Sequence, residues 1–305
     1  MADAPAPARA RTGFVAIIGR PNVGKSTLLN ALVGERVSIT SRKPQTTRQR
    51  IVGVLTRGDA PAVTQFVFVD TPGFQPHRKS LLTRRMNEEI VAALADVDAI
   101  VLVIEARGWT ADDERLLQLI PSERRNVVLA INKTDALADR NTLLPLLAES
   151  AQRFPFAALV PVSAERGRQL DDLLREIERL LPEGEPLFEA DQFTDRSARF
   201  LTAEFIREKA FRLLGDELPY GVAVTIDQWN EDAARADIAA SLWVARESHK
   251  GIVIGEGGAK LREIGRLARA EIERMLGKPV HLQTWVRVKR GWTEDARALR
   301  GLGYE

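Results

Sequence analysis

Cysteine is absent from the 305 residues, which excludes disulfides, thiolate metal sites and cysteine nucleophiles. Only three histidines are present, too few for a histidine-rich metal site. No apolar run reaches the roughly 18 residues a spanning helix needs, so no transmembrane helix is expected. Neither sign of charge dominates: 44 Lys and Arg stand against 42 Asp and Glu, a net charge of +2. Any nucleic-acid role must therefore rest on a local patch. What is present is ordinary for a folded soluble chain, with 45% hydrophobic and 28% charged residues, which excludes a mainly disordered or collagen-like chain. The length suggests two domains, or three. The opening MADAPAPARARTG is Ala/Pro-rich without an apolar stretch, so it is not a secretory signal. Residues 1–12 read as a disordered tail, and Arg9 and Arg11 offer only a weak attraction to an anionic membrane surface.

From Gly13 onward short β-branched runs alternate with helical patterns. FVAIIG (14–19), IVGVLT (51–56), VTQFVFVD (63–70), AIVLVIEA (99–106), NVVLAINK (126–133) and AALVPVSA (157–164) read as strands. Their almost wholly apolar character suits a parallel sheet covered on both faces. KSTLLNALVG (25–34) and segments 80–95, 111–120, 141–153 and 169–181 read as helices. Alternation of this kind predicts an α/β domain with a mostly parallel sheet. The proline-containing, acidic stretch 183–196 reads as a linker. Beyond it the order becomes helix (197–215), strand (220–231), strand (235–248), short helix, helix (259–277) and strand (278–291), a smaller α+β domain. The predicted organisation is therefore tail 1–12, first domain 13–182, linker 183–196 and second domain 197–305.

Gly19-Arg20-Pro21-Asn22-Val23-Gly24-Lys25-Ser26 fits G-x-x-x-x-G-K-[ST], followed by Thr27, after a strand and before a helix. The glycines let backbone N–H groups face phosphates, and the helix N-terminus adds partial positive charge. Lys25 reaches the β- and γ-phosphates in this pattern, and the Ser26 hydroxyl ligates Mg²⁺. Asn132-Lys133-Thr134-Asp135 closes a later strand. A carboxylate there accepts from guanine N1–H and the 2-amino group together, whereas adenine presents a lone pair at N1, so Asp135 favours GTP over ATP. Asp70-Thr71-Pro72-Gly73 ends the third strand; Asp70 suits the Mg²⁺ hydration shell and the Gly73 N–H suits the γ-phosphate. A hydroxyl in Pro44-Gln45-Thr46-Thr47-Arg48 would complete the Mg²⁺ sphere only with the γ-phosphate present, making 36–50 a switch. The backbone of Val162-Ser163-Ala164, after the last strand, is a candidate contact for guanine O6, with Ser163 and Ala164 as the site residues.

GRPNVGKST, QTTR, DTPG, NKTD and VSA stand in the order and spacing of the translation-factor-related GTPases, and GRPNVGKSTLLNAL with SRKPQTTR resembles the bacterial Era family in particular. The resemblance implies a P-loop GTPase domain followed by a type II KH domain, and it runs from Gly13 to Tyr304. It implies that Thr47 is the Mg²⁺ ligand; Lys25, Thr47 and Gly73 are the residues expected to serve hydrolysis. It makes Asn22 the position that supports a K⁺ ion in related enzymes. Phe74 stands where Ras-like enzymes carry a water-orienting Gln, so slow intrinsic hydrolysis of GTP to GDP is expected, with Gln75 a neighbouring substitute that nothing in the sequence demands.

Gly255-Glu256-Gly257-Gly258 opens a helix in the second domain. By itself this loop fits a glycine turn between two helices, or a loop that lets backbone pack against an RNA strand. Residues 246–290 hold 11 Lys and Arg against 5 Asp and Glu. Lys250, Lys260, Arg262, Arg266 and Arg269 are candidate phosphate contacts, and Ile252 and Ile254 a candidate apolar floor beneath bases. Glu256 suits RNA poorly. The resemblance implies a switch that binds the 3′ region of 16S ribosomal RNA and assists assembly of the 30S subunit. A cytoplasmic monomer is expected, with peripheral contact with the inner membrane a further expectation. Action in RNA modification, on the large subunit or in membrane-linked regulation is the alternative.

Overall fold

The computed structural model describes residues 10–40, 50–75, 81–214 and 221–302. Thr47, the rest of 41–49 and the tail residues 1–9, Arg9 included, lie outside the described residues. The chain forms two compact units, one of residues 1–37, 50–76 and 87–195, the other of 38–49, 77–86 and 196–305.

The first unit is a six-stranded sheet in the order β2-β3-β1-β4-β5-β6. Its strands are β1 (Arg11–Ile18), β2 (Ile51–Arg57), β3 (Thr64–Asp70), β4 (Ala99–Glu105), β5 (Val127–Asn132) and β6 (Ala158–Pro161). Only β2 runs antiparallel to its neighbour; the other pairs are parallel. Every residue of β3 and β5 is buried, as is β4 up to Ile104, because helices cover both faces. The helices are α1 (Lys25–Val33), α2 (Leu81–Ala95, whose residues up to Met86 fall in the second unit), α3 (Ala111–Leu117), α4 (Leu143–Arg153) and α5 (Leu170–Glu178). Gly34, at φ 83°, ends α1 by donating its N–H to Asn30 O. A capping box between Thr110 and Asp113 starts α3.

Two boundaries differ from the sequence reading. The first strand begins at Arg11, inside the expected tail, because Arg11 pairs with Thr64 and its N–H donates to Val63 O at 2.9 Å. The expected linker is docked rather than free. Val54 N donates to Phe193 O at 2.9 Å and Thr194 Oγ1 to Val52 O at 2.6 Å, so residues up to 195 cover the exposed edge of β2. Leu187 and Phe188 N–H groups donate to the buried Gln65 carboxamide oxygen at 2.7 and 3.0 Å.

The second unit holds α6 (Ala198–Leu213), β7 (Val222–Glu231), β8 (Ala236–Val244), α7 (Glu247–Ile254), α8 (Ala259–Leu276), β9 (Val280–Val288) and α9 (Ala296–Gly301). β8 is central, antiparallel to β7 and parallel to β9. Leu201, Phe205 and Ile206 of α6 and Ile264, Ala268 and Ile272 of α8 share a core with Val224, Ala240 and Leu242 of the sheet. Two pieces of the nominal first domain belong here. Ile39 is buried in this core, with the Thr40 N–H donating to Glu208 Oε1 at 3.1 Å. Met86 is buried with Trp292 and Leu299 in a second cluster. The helix α9 was not read from the sequence. Among the described residues no helix is long and apolar enough to cross a membrane.

Candidate functional site

The carboxyl ends of β1, β3 and β5 carry the three nucleotide motifs, the edge at which open α/β sheets bind ligands. After β1 the chain turns through Asn22 at φ 67° and Gly24 at φ 102° into α1. A Cβ at Gly24 would lie 2.3 Å from Asn132 Nδ2, so only glycine lets this loop close on the turn after β5. Val23 is wholly buried beneath the loop. Lys25 is buried too, its Nζ donating to the Gly19 and Arg20 carbonyls at 3.0 and 3.1 Å. Burial pushes its ammonium down to about 8, with Asp70 pulling it up and Arg20 pushing it lower. Those carbonyls hold the lysine under the loop where phosphates would lie.

Ser26 Oγ donates to Asp70 Oδ2 at 2.8 Å, which brings both described Mg²⁺ candidates together. Among the described residues no group of three His, Asp or Glu side chains could hold a metal. One hydroxyl and one buried carboxylate fit a hard ion whose remaining ligands are phosphate oxygens and water. Thr71 Oγ1 donates to Ile17 O at 3.0 Å and pins the end of β3 to β1. Gly73 packs so tightly on the loop that a Cβ would fall 2.9 Å from Pro21 Cα. Phe74 is buried in the core on one face of the sheet, so its ring orients no water. Gln75 is buried with its backbone clamped by Asn87, at 3.2 Å to its N–H and 3.1 Å to its carbonyl.

At the candidate base-reading turn, Asn132 Nδ2 donates to Val23 O at 2.8 Å and its Oδ1 accepts from Ala164 N at 3.0 Å. Lys133, at φ 66°, reaches back to donate to Asn22 O at 2.5 Å. Asp135 is exposed and accepts from the buried Ser163 hydroxyl, which leaves the carboxylate fixed at the surface. The Ala164 N–H already serves Asn132, so the expected contact of this backbone with guanine O6 would have to share that donor. The sequence reading missed Glu105 and Asp113. Glu105 is the register partner of Asn132 and binds Lys133 and Arg20 at 2.5 and 3.4 Å. A lone acid at a strand end gave no pattern to find it by.

In the second unit the glycine loop joins α7 to α8. Gly255, Gly257 and Gly258 all have positive φ, and a Cβ at Gly255 would lie 2.7 Å from Lys260 Cβ. Arg262 donates to Gly257 O at 2.7 Å and so braces the loop. Arg262, Arg266 and Arg269 follow one exposed face of α8, opposite the buried Ile264 and Ala268. Three of the cations are partly neutralised: Arg266 by Glu263 at 2.7 Å, Arg269 by Glu273 at 3.8 Å and Lys250 by Glu247 at 3.9 Å. Glu256 is exposed. The expected apolar floor is split: Ile252 is 44% exposed while Ile254 packs on the core, because two residues of helix separate them by about 200°.

A family model described as 50S ribosome-binding GTPase matches residues 14–133, and a KH domain model matches residues 217–293. GTPase Era of Bordetella avium is 54% identical over 295 residues, 97% of this chain and 98% of that one. GTPase Era of Xanthomonas oryzae pv. oryzae is 48% identical over 97% of each. A crystal structure of an Aquifex aeolicus Era variant bound to GDP·AlF4⁻ matches with a TM-score of 0.92 at 41% identity, covering 96% of this chain and 99% of that one. Era in complex with MgGDPNP and nucleotides 1506–1542 of 16S ribosomal RNA matches at 0.92 and 40%, covering 97% and 99%.

Proposed function

The chain belongs to the Era family of GTPases, and from that premise we propose that it is a GTP-driven switch whose second unit grips the 3′ region of 16S ribosomal RNA and that it assists assembly of the 30S subunit. The chain is a GTPase that binds GTP and GDP with Mg²⁺ and binds ribosomal RNA. The observation that carries the finer reading is the pairing in one chain of a braced phosphate loop tied to a guanine-reading turn with a glycine loop backed by a cationic helix face. The Era structure similar to this chain holds MgGDPNP and a 16S fragment together.

Lys25 leaves its two carbonyl partners for the β- and γ-phosphates, and loop N–H groups and the α1 N-terminus supply the remaining donors. Ser26 and Asp70, with Thr47 from the switch, are the residues that would hold Mg²⁺. An ion held by these residues would supply positive charge to offset the charge that develops on the phosphates. The Gly73 N–H meets the γ-phosphate, so its loss on hydrolysis releases the segment beyond. With Phe74 turned into the core, no side chain at that position aligns the water. Intrinsic hydrolysis should then fall within the unassisted range of about 10⁻⁴ to 10⁻² s⁻¹. Asn22 is exposed at the loop and is the residue to hold a K⁺ ion against the phosphates.

RNA crosslinked in cells to the protein locked in its GTP form tests the reading. Recovery of the 3′ end of 16S RNA supports it, and recovery of large-subunit or transfer RNA in its place contradicts it.

A further inference from the structure

Four charged side chains in the first unit form a chain, two of them in the nucleotide motifs (Arg20 and Lys133) and two outside every motif (Glu105 and Asp113). Lys133 Nζ donates to Glu105 Oε1 at 2.5 Å. The other oxygen of Glu105 lies 3.4 Å from Arg20 Nη2. Arg20 Nε donates to Asp113 Oδ2 at 3.3 Å. Asp113 is wholly buried and also accepts from the Thr110 N–H at 3.0 Å and hydroxyl at 2.6 Å. The path runs from the end of β5, across the end of β4, through the phosphate loop to the start of α3.

We propose that Glu105 is a positioning residue for guanine-nucleotide retention, holding Lys133 of the base-reading turn and Arg20 of the phosphate loop with its two carboxylate oxygens so that both ends of the nucleotide site keep one spacing. The inference rests on the nucleotide site described above. Its geometric basis is the register of the sheet. Glu105 lies opposite Asn132, the Ala106 N–H donates to Asn132 O at 2.8 Å, and the left-handed turn at Lys133 aims its ammonium back over the strand end. Lys133 spends one N–H on Asn22 O and one on Glu105, so its head is fixed in two directions. Arg20 is likewise drawn towards Glu105 and Asp113. Removing the Glu105 charge leaves two cations sharing one strand end with no anion between them, and each then keeps one of its two anchors, Lys133 on Asn22 O and Arg20 on Asp113.

The pairs are partly exposed, with side-chain exposures of 16% for Glu105, 20% for Arg20 and 40% for Lys133. Ion pairs in that setting add little to global stability. A positioning role thus separates from a structural one. Stopped-flow dissociation of mant-GDP from the full chain, in wild type, Glu105→Gln, Lys133→Met and the double variant, makes the test. Glu105→Gln should release nucleotide about tenfold faster, as expected for one lost charge-assisted hydrogen bond. Its melting temperature without nucleotide should shift by less than about 3 °C. In the Lys133→Met background the same change should add clearly less than it does in the wild type, since only its hold on Arg20 then remains to be lost. Release from Glu105→Gln at the wild-type rate, or single effects that multiply in the double variant, would overturn the proposal. Failure of the wild type to retain mant-GDP would overturn the nucleotide site itself, a separate result.

Discussion

The side-chain amide of Asn132 donates to the carbonyl oxygen of Val23 at 2.8 Å, and its oxygen accepts from the Ala164 N–H at 3.0 Å. One residue thus ties the loop before α1, the turn after β5 and the loop after β6. Asn132→Ala leaves a buried carbonyl and a buried amide unpaired, each costing about 1–3 kcal/mol. GDP affinity should fall by at least about tenfold, read by equilibrium titration.

Asp135 stands exposed, held by Ser163. Asp135→Asn converts an acceptor into a group that donates where xanthine accepts. Xanthosine diphosphate should then bind more tightly than GDP. An unchanged preference for guanine would show that another group reads the base.

Lys25 supplies a pH dependence. Its folded value of about 8 lies below the ordinary 10.5, so the unfolded chain binds more protons between those two values. This lysine's contribution to the stability of the nucleotide-free protein therefore rises as pH climbs from about 8 towards 10.5. Phosphate binding makes the opposite demand, because it needs the charged form. GDP binding near pH 8.5 should take up a proton, seen by calorimetry in two buffers of different ionisation enthalpy, and affinity should fall above pH 8.

Gly257→Asp with Gly258→Asp places two carboxylates and two side chains at positive φ values of 53° and 78° in the glycine loop. RNA affinity should be lost while the GTPase rate stays at the wild-type level. Retained RNA binding would place the interface elsewhere on the unit.

The clustering of the candidate nucleotide residues was legible because each motif is local in sequence. The run from Gly19 to Ser26, the Asp70–Gly73 turn and the Asn132–Asp135 turn each follow a strand, and the sheet brings those strand ends together. Less legible was everything set by distant pairing. Nothing in Ile39 or Met86 says that they are buried with the second unit. The acidic, proline-containing run 183–196 reads as a tether, yet the unpaired edge of β2 gives it a docking line. Ile252 and Ile254 look like a pair until helical rotation divides them. Glu105 is silent in sequence because its role comes from register with Asn132, across 27 residues of chain.

Anisotropy titration of a labelled RNA carrying the 3′ end of 16S ribosomal RNA, with the protein saturated by GDPNP or by GDP, tests the switch most directly. Affinity at least about tenfold tighter in the GDPNP form, a coupling of ordinary allosteric size, is the expected result. Equal affinity in the two forms would contradict it.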